Sequence, residues 1–205
     1  MPKIKLTKGE LKRQRDALGQ CNRYLPTLQL KKQQLQIEIL RARAIIEEKK
    51  YQEDVKIREA EVWSGLISDR SVDIKPWIDP ADIKTGNRNI AGVDIPVFIR
   101  TEFATAEYDL FLVPLWVDGA IEALRAIASL REEIKVLEKG VELLRQELMT
   151  TTQRVNLFEK VKIPEAEEAI RIIKIYIGDQ MANAVGRSKM AKKKIEKMEL
   201  AMVTA

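Results

Sequence analysis

Counted by sevens, the first sixty residues carry apolar side chains at two recurring positions. One set is Leu11, Leu18, Leu25, Lys32, Ile39 and Ile46; the set three residues later is Gln14, Cys21, Leu28, Leu35 and Ala42, so nine of these eleven positions are apolar or Cys. A 3.5-residue spacing places both sets on one edge of an α-helix, the seam of a coiled coil. The flanks are Lys, Arg, Gln and Glu, and the stripe continues more thinly through Val55, Ile57 and Val62. The pattern predicts one helix of about 50 residues and about 75 Å. Pro26 has no N–H to give and is expected to kink or loosen that helix near Gln20 to Asn22.

The last third of the chain repeats the pattern more cleanly. Ala120, Ile127, Ile134, Val141, Leu148 and Val155 form one set, and Ala123, Leu130, Leu137, Leu144, Thr151 and Phe158 form its partner, with only Thr151 not apolar. Beyond Pro164 the stripe restarts one position out of phase, as Ile170, Ile173, Ile177, Met181 and Val185. The run "TTTQRVNLFEKVKIPE", residues 150–165, spends β-branched residues and a proline where helix stability is lost. Thr152, Arg154, Asn156 and Pro164 therefore mark a register break, past which a rotated face is expected to turn inward.

Residues 63–114 have neither seam. They hold Trp63, Trp77 and Phe98, four prolines (Pro76, Pro80, Pro96 and Pro114) and the turn-like runs "DPAD" and "TGNRN". The run "VDIPVFIRTEF" is β-branched and aromatic, which predicts a strand; "YDLFLVPLW" reads as a second strand or as the entry into the next helix. The expected organisation is an N-terminal coiled-coil helix over 1–62, a small irregular middle cap with a β-hairpin over 63–114, and a C-terminal coiled-coil helix over 115–205 with its register break near Pro164. The fold class is mainly α: a long antiparallel two-helix coiled coil within one chain, its two ends together and the cap at the other end.

Charge fits that geometry. The formal net charge is only +5, but Lys3, Lys5, Lys8, Lys12, Arg13 and Arg15 crowd the start, and Arg187, Lys189, Lys192, Lys193, Lys194 and Lys197 crowd the finish. An antiparallel hairpin brings these basic tips together, where they are either solvated helix ends or a bearing against an acidic partner. With 33% charged and 5% aromatic residues, the chain suits long solvated helices and a thin core.

Candidate chemistry is sparse. There is no histidine and one cysteine, so imidazole bases, Cys–His pairs and the common zinc sets are missing. No glycine-rich phosphate loop occurs. The carboxylate pairs Glu47 with Glu48, Glu132 with Glu133 and Glu167 with Glu168 read as solubilising charge on helix faces, and Cys21 reads as seam packing. No catalytic, cofactor-binding or metal-ligating residue is expected. No run of about 18 apolar residues predicts a membrane span, and the start, "MPKIKLTKGELKRQR", lacks a secretory apolar stretch, so a cytoplasmic protein is expected.

Four ordered stretches carry a resemblance: "KGELKRQRDAL", "NIAGVDIPVF", "TTTQRVNLFEKVKIPEAEEAIRIIKIYI" and "VGRSKMAKKKIE". Together they resemble the D subunits of the V-type and A-type rotary ATPases across nearly the whole chain. Thr152, Arg154, Val155, Asn156, Glu159, Ile163 and Pro164 are the most specific part, because heptads alone do not supply "RVN" followed by "IP". The uninterrupted first helix of that family is at odds with Pro26. The resemblance implies a central shaft with a small β-containing region along its lower part, and no catalysis by the shaft itself. It implies partners as well: a ring of catalytic A and regulatory B subunits, the small F subunit, and the membrane-side subunit that caps the rotor ring. ATP hydrolysis or synthesis in the ring would be coupled to movement of protons or other ions, with the chain peripheral to the membrane. Candidate ring contacts are Lys8, Lys12, Arg13, Arg187, Lys189, Lys192 and Lys193. A coiled-coil tether and a basic nucleic-acid-binding coiled coil are the alternatives that the residues themselves leave open.

Overall fold

The computed structural model describes residues 5–65, 74–106 and 114–203. The chain is mainly α: long N-terminal and C-terminal helices pack together, and a small two-stranded antiparallel sheet lies between them in sequence. In order come α1 (Lys8–Glu61), the single turn α2 (Lys75–Ile78), β1 (Pro80–Ile90), β2 (Val93–Phe103), α3 (Trp116–Leu157), a π-helical turn (Phe158–Lys162) and α4 (Ile163–Val203). Two compact units result. Leu30–Thr152 forms one, and the described residues 5–29 and 153–203 form the other.

Helix α1 starts where the sequence supplies a cap. Thr7 Oγ1 accepts the Glu10 N–H at 3.3 Å and the Thr7 carbonyl accepts the Leu11 N–H at 3.0 Å, satisfying amides that the first turn leaves orphaned. The helix continues past Pro26, so the proline does not end it. Pro26 is exposed, as is Asn22, whose carbonyl loses its helical donor there; water can serve that oxygen.

In the Leu30–Thr152 unit, α1 and α3 lie antiparallel. Leu35, Ile39 and Ile46 from α1 meet Ile134, Val141 and Leu144 from α3 in one buried cluster. Ion pairs tie the same faces: Lys31 with Glu147 at 2.6 Å, Lys49 with Glu133 at 3.0 Å, Lys50 with Glu138 at 2.8 Å and Arg131 with Glu53 at 2.6 Å. Each is worth little alone at a surface, but their order fixes an antiparallel sense.

The hairpin departs from expectation in two ways. "VDIPVFIRTEF" is β2, but its partner β1 is the run containing "TGNRN" and most of "DPAD", stretches that look like turns because Pro, Asp, Asn and Gly are poor strand formers. Pairing with β2 overrides that preference, from Pro80 opposite Phe103 to Ile90 opposite Val93. The true turn is Ala91–Gly92, with φ of 52° and 80°, as a tight two-residue hairpin loop demands. Asn89 braces it, accepting the Gly92 N–H at 3.1 Å and donating to Asp94 Oδ1 at 2.7 Å. Pro96 is tolerated because a two-stranded sheet has only edges. Secondly, the hairpin is no cap on the helix ends. Ile90, Ala91, Val93 and Ile95 pack against the Leu35–Leu144 cluster, so the ribbon lies back along the helices. The run "YDLFLVPLW" falls largely outside the described residues; Trp116 at its end opens α3.

In the other unit, residues 5–29 face residues 153–198, again antiparallel. Gln14, Ala17 and Cys21 share a groove with Lys162, Ala166 and Ile172, while Leu6 and Lys8 share another with Tyr176 and Arg187. Val155, Ala166, Ala169, Ile170 and Ile173 are buried, and Phe158, Ile163 and Ile177 are half-buried. Between Phe158 and Ile163 the spacing is five residues, and the Ile163 N–H bonds to the Phe158 carbonyl. The π turn therefore absorbs the one-residue slip. The expected rotation of the inward face does not occur in this unit, because an extra residue in the turn lets the buried stripe continue.

Candidate partner-binding surfaces

The seam residues sit on the inner faces. Leu35, Ile39, Ile46, Ile127, Ile134, Val141, Leu144 and Val155 are buried; Leu11, Leu18, Leu25, Leu28, Leu130, Leu137, Leu148 and Phe158 are half-buried. Of the residues around the break, Thr151 is buried, Thr152 is half-buried, and Arg154, Asn156 and Pro164 are exposed. Thr150 Oγ1 donates back to the Gln146 carbonyl at 3.1 Å, the local bond that lets a threonine sit in a helix.

Lys8, Lys12, Arg13, Arg187, Lys189, Lys192 and Lys193 are all exposed. Lys8 and Arg187 line one surface groove of about 1000 Å³, so the fold brings one cation of each basic stretch together. Arg13 and Lys192 each have one long contact, to Glu10 and Glu196, both at 3.9 Å. Large apolar side chains stand among these cations: Met181, Val185, Met190, Ile195 and Met198 are exposed. A surface mixing flexible methionines with unneutralised cations suits a protein partner bearing acidic and apolar groups.

A second surface escaped the sequence reading. Leu30, Ile37, Leu40, Tyr51 and Val55 are exposed, and with Ala44 they follow one another at helical spacing on the side of α1 opposite its seam. Helix α1 thus has two apolar faces, one inside and one outside. Arg41 and Arg43 flank the outer stripe near its middle, with Glu47, Glu48 and Asp54 further along. The missed signal was available in the sequence, since these positions repeat Leu30, Ile37, Ala44 and Tyr51 every seven residues.

The hairpin is anchored at its base by Arg125, another residue that periodicity does not single out. Its Nε donates to the Trp77 carbonyl at 2.8 Å, a terminal nitrogen donates to the Ala104 carbonyl at 2.6 Å, and its guanidinium lies 5.4 Å from the centre of the Phe103 ring. Trp77 packs beside Ile74, Val117 and Ile121. Trp63 and Phe98 are half-buried.

Among the described residues the carboxylates with clearly shifted values, Glu102 and Glu168, are both shifted downward. Glu168 is held below the ordinary carboxylate value by the hydrogen bond and charge of Arg171, and Glu102 likewise by Lys84 and then Arg100. A general acid needs the opposite shift. Glu138 raises Lys50 through their hydrogen bond and charge. Glu132 and Glu133 are spent on Lys135 and Lys49. Among the described residues no group of three or more His, Cys, Asp or Glu could hold a metal ion, and no helix is long and apolar enough to cross a membrane.

The family of ATP synthase D subunits matches residues 10–193. The chain belongs to that family. It is similar to the V-type ATP synthase D subunit of Borreliella burgdorferi, 43% identical over 197 residues that cover 96% of this chain and 97% of the relative. The D subunit of Chlamydia muridarum is 35% identical over 199 residues, 94% of this chain and 96% of its own length, and that of Chlamydia pneumoniae is 33% identical over 197 residues, 94% and 93% respectively. Membership of the D-subunit family makes this chain a component of a V-type ATP synthase assembly.

Proposed function

We propose that the chain is the non-catalytic central shaft of a rotary ATPase, turning within a ring of catalytic A and regulatory B subunits. ATP hydrolysis or synthesis in the ring is thereby coupled to ion translocation across the membrane. The observation that supports this reading is the pairing of two long antiparallel helices that brings Lys8 and Arg187, one cation from each basic stretch, to one groove, with Lys12, Arg13, Lys189, Lys192 and Lys193 exposed on the same two helices. A single asymmetric shaft touches three equivalent sites differently, so their nucleotide affinities differ, and turning it exchanges those states. Because such coupling is reciprocal, one shaft serves both directions.

The basic, methionine-bearing end of α4 is the bearing against the ring. The outer apolar stripe of α1 supports a companion, the small F subunit, laid along Leu30 to Val55. The hairpin-bearing unit engages the membrane-side subunit that caps the rotor ring, which keeps the protein cytoplasmic and peripheral to the membrane. Thr152, Arg154, Asn156 and Pro164 break the regularity of the shaft and contribute to its asymmetry.

Co-expression with A, B and F chains tests the reading. A stoichiometric complex is expected, hydrolysing ATP at a rate that depends on this chain, and the combined changes Arg187→Glu, Lys189→Glu, Lys192→Glu and Lys193→Glu should weaken ring binding at least about tenfold. A ring whose assembly and hydrolysis ignore the chain would overturn it.

A further inference from the structure

Helix α4 carries two overlapping stripes, and only one is used. The inward one is Ile163, Ala166, Ile170, Ile173 and Ile177, buried at Ala166, Ile170 and Ile173 and half-buried at its two ends. The other is the direct heptad continuation of Val155 and Phe158, namely Lys162, Glu165, Ala169, Ile172 and Tyr176. Of its apolar members only Ala169 lies inward, at 4% exposed, whereas Ile172 and Tyr176 are exposed, at 38% and 39%. What selects the first stripe is the extra residue stored in the π turn.

Little holds that extra residue where it is. Glu159 to Lys162 are exposed and Phe158 is only half-buried, so no side chain of the turn is locked into a core. Pro164 has no N–H, so an α-helical turn there would leave the Lys160 carbonyl without its usual donor and gain no bond in exchange. The space beside the turn is open: a groove of about 550 Å³ lies between α4 and α1 within this unit, bounded by Ala17 and Cys21 on one side and by Lys162, Glu165, Ala169 and Ile172 on the other. The second stripe thus borders an open groove whose α1 side is Gln14 and the small side chains Ala17 and Cys21.

We propose that the π turn is a movable register element. The extra residue passes from Phe158–Lys162 to a position beyond Ile173, and the segment between turns by about 100° and advances by about 1.5 Å, one residue of helix. Ile170 and Ile173 leave the interface; Ile172 swings into the groove beside Ala17. Lys162 and Glu165, three residues apart, move to the groove rim, where they can pair with each other. The resting register is favoured because it buries two isoleucines and no charge. The exchange gives α4 two discrete seats against residues 7–29, and hence a place where twist is taken up in steps. The inference rests on this unit alone, independent of any ring.

Hydrogen exchange on the full chain tests it. Passage of the extra residue breaks the helical bonds of residues 163–173 in turn, so their amides should exchange at least tenfold faster than those of the buried α1–α3 region around Leu144. Deleting Lys160 removes the extra residue and should slow exchange over 165–173 at least about tenfold. Ile172→Glu, at a position exposed in the resting register, penalises only the shifted one and should slow the same amides even if the deletion fails to fold. Lys162→Leu with Glu165→Leu should speed them. Exchange over 165–173 that stays within twofold of the parent in Ile172→Glu and in the leucine pair, or that matches the region around Leu144 in the parent, would overturn the proposal.

Discussion

The two units use the same antiparallel helix pairing and treat it differently. In Leu30–Thr152 the seam is sealed: Leu35 and Leu144 are fully buried, four ion pairs cross between α1 and α3, and the hairpin covers one side. In the other unit Leu11, Leu18 and Leu25 are only half-buried, no ion pair is found between α1 and α4 among the described residues, and large apolar side chains of α4 face outward. A helix pair is stiffened where packing and charge agree, and left unfinished where a partner or a second register can complete it.

That contrast can be broken by matched truncations. Leu144→Ala should destabilise the chain by about 3 kcal/mol, within the range for buried leucines. Leu18→Ala should cost about 1 kcal/mol, since part of its surface is already wet. Equal losses in denaturant melts would erase the distinction between sealed and open seams. Arg125→Ala should cost about 2 kcal/mol by stripping two charged hydrogen bonds from the Trp77 and Ala104 carbonyls, and hydrogen exchange should localise the loss to the base of the hairpin. Loss spread evenly over both units would make Arg125 a general stabiliser instead of a hairpin clamp.

The smallest effect is electrostatic and touches both units. Glu102 and Glu168 have lowered values in the folded state, so their contribution is complete above the ordinary carboxylate value of about 4.5 and fades as pH falls through the lowered one. Lys50 is raised, so its contribution is complete below 10.5 and fades as pH climbs through its raised value. All three are solvent-accessible, so both limbs should be shallow and should flatten in high salt. Lys84→Met together with Arg171→Met should flatten the acid limb; if stability still falls as steeply, other carboxylates control it.

Much of the fold can be read from the residues because one period serves a whole helix. The seams of α1 and α3 repeat over many turns, and no local preference competes with them. The hairpin was half legible. Val93 to Phe103 has the branched and aromatic residues of a strand, but Pro80 to Ile90 becomes a strand only through its partner, and a Gly86 that looks like a turn residue is there to admit Ile99, whose Cδ1 would lie 3.3 Å from any Cβ. The slip past Phe158 was visible as a change of phase, yet its remedy was not: a rotated face and an inserted π residue leave the same sequence pattern, and only the backbone bond from Ile163 to Phe158 distinguishes them. The basic tips were legible as charge. The outer stripe of α1 was hidden because the seam already explained the helix, and Arg125 was hidden because its acceptors are carbonyls far away in the chain.

Gly140 sets the clearance between helix and ribbon. It is buried on α3 beneath Ile95 Cβ and the Pro96 carbonyl oxygen, each 3.8 Å from where a methyl group would stand. The carbonyl oxygen is present whatever residue stands at 96, and the Cβ for any residue at 95 except glycine, so an alanine at 140 would sit in ordinary contact with the ribbon.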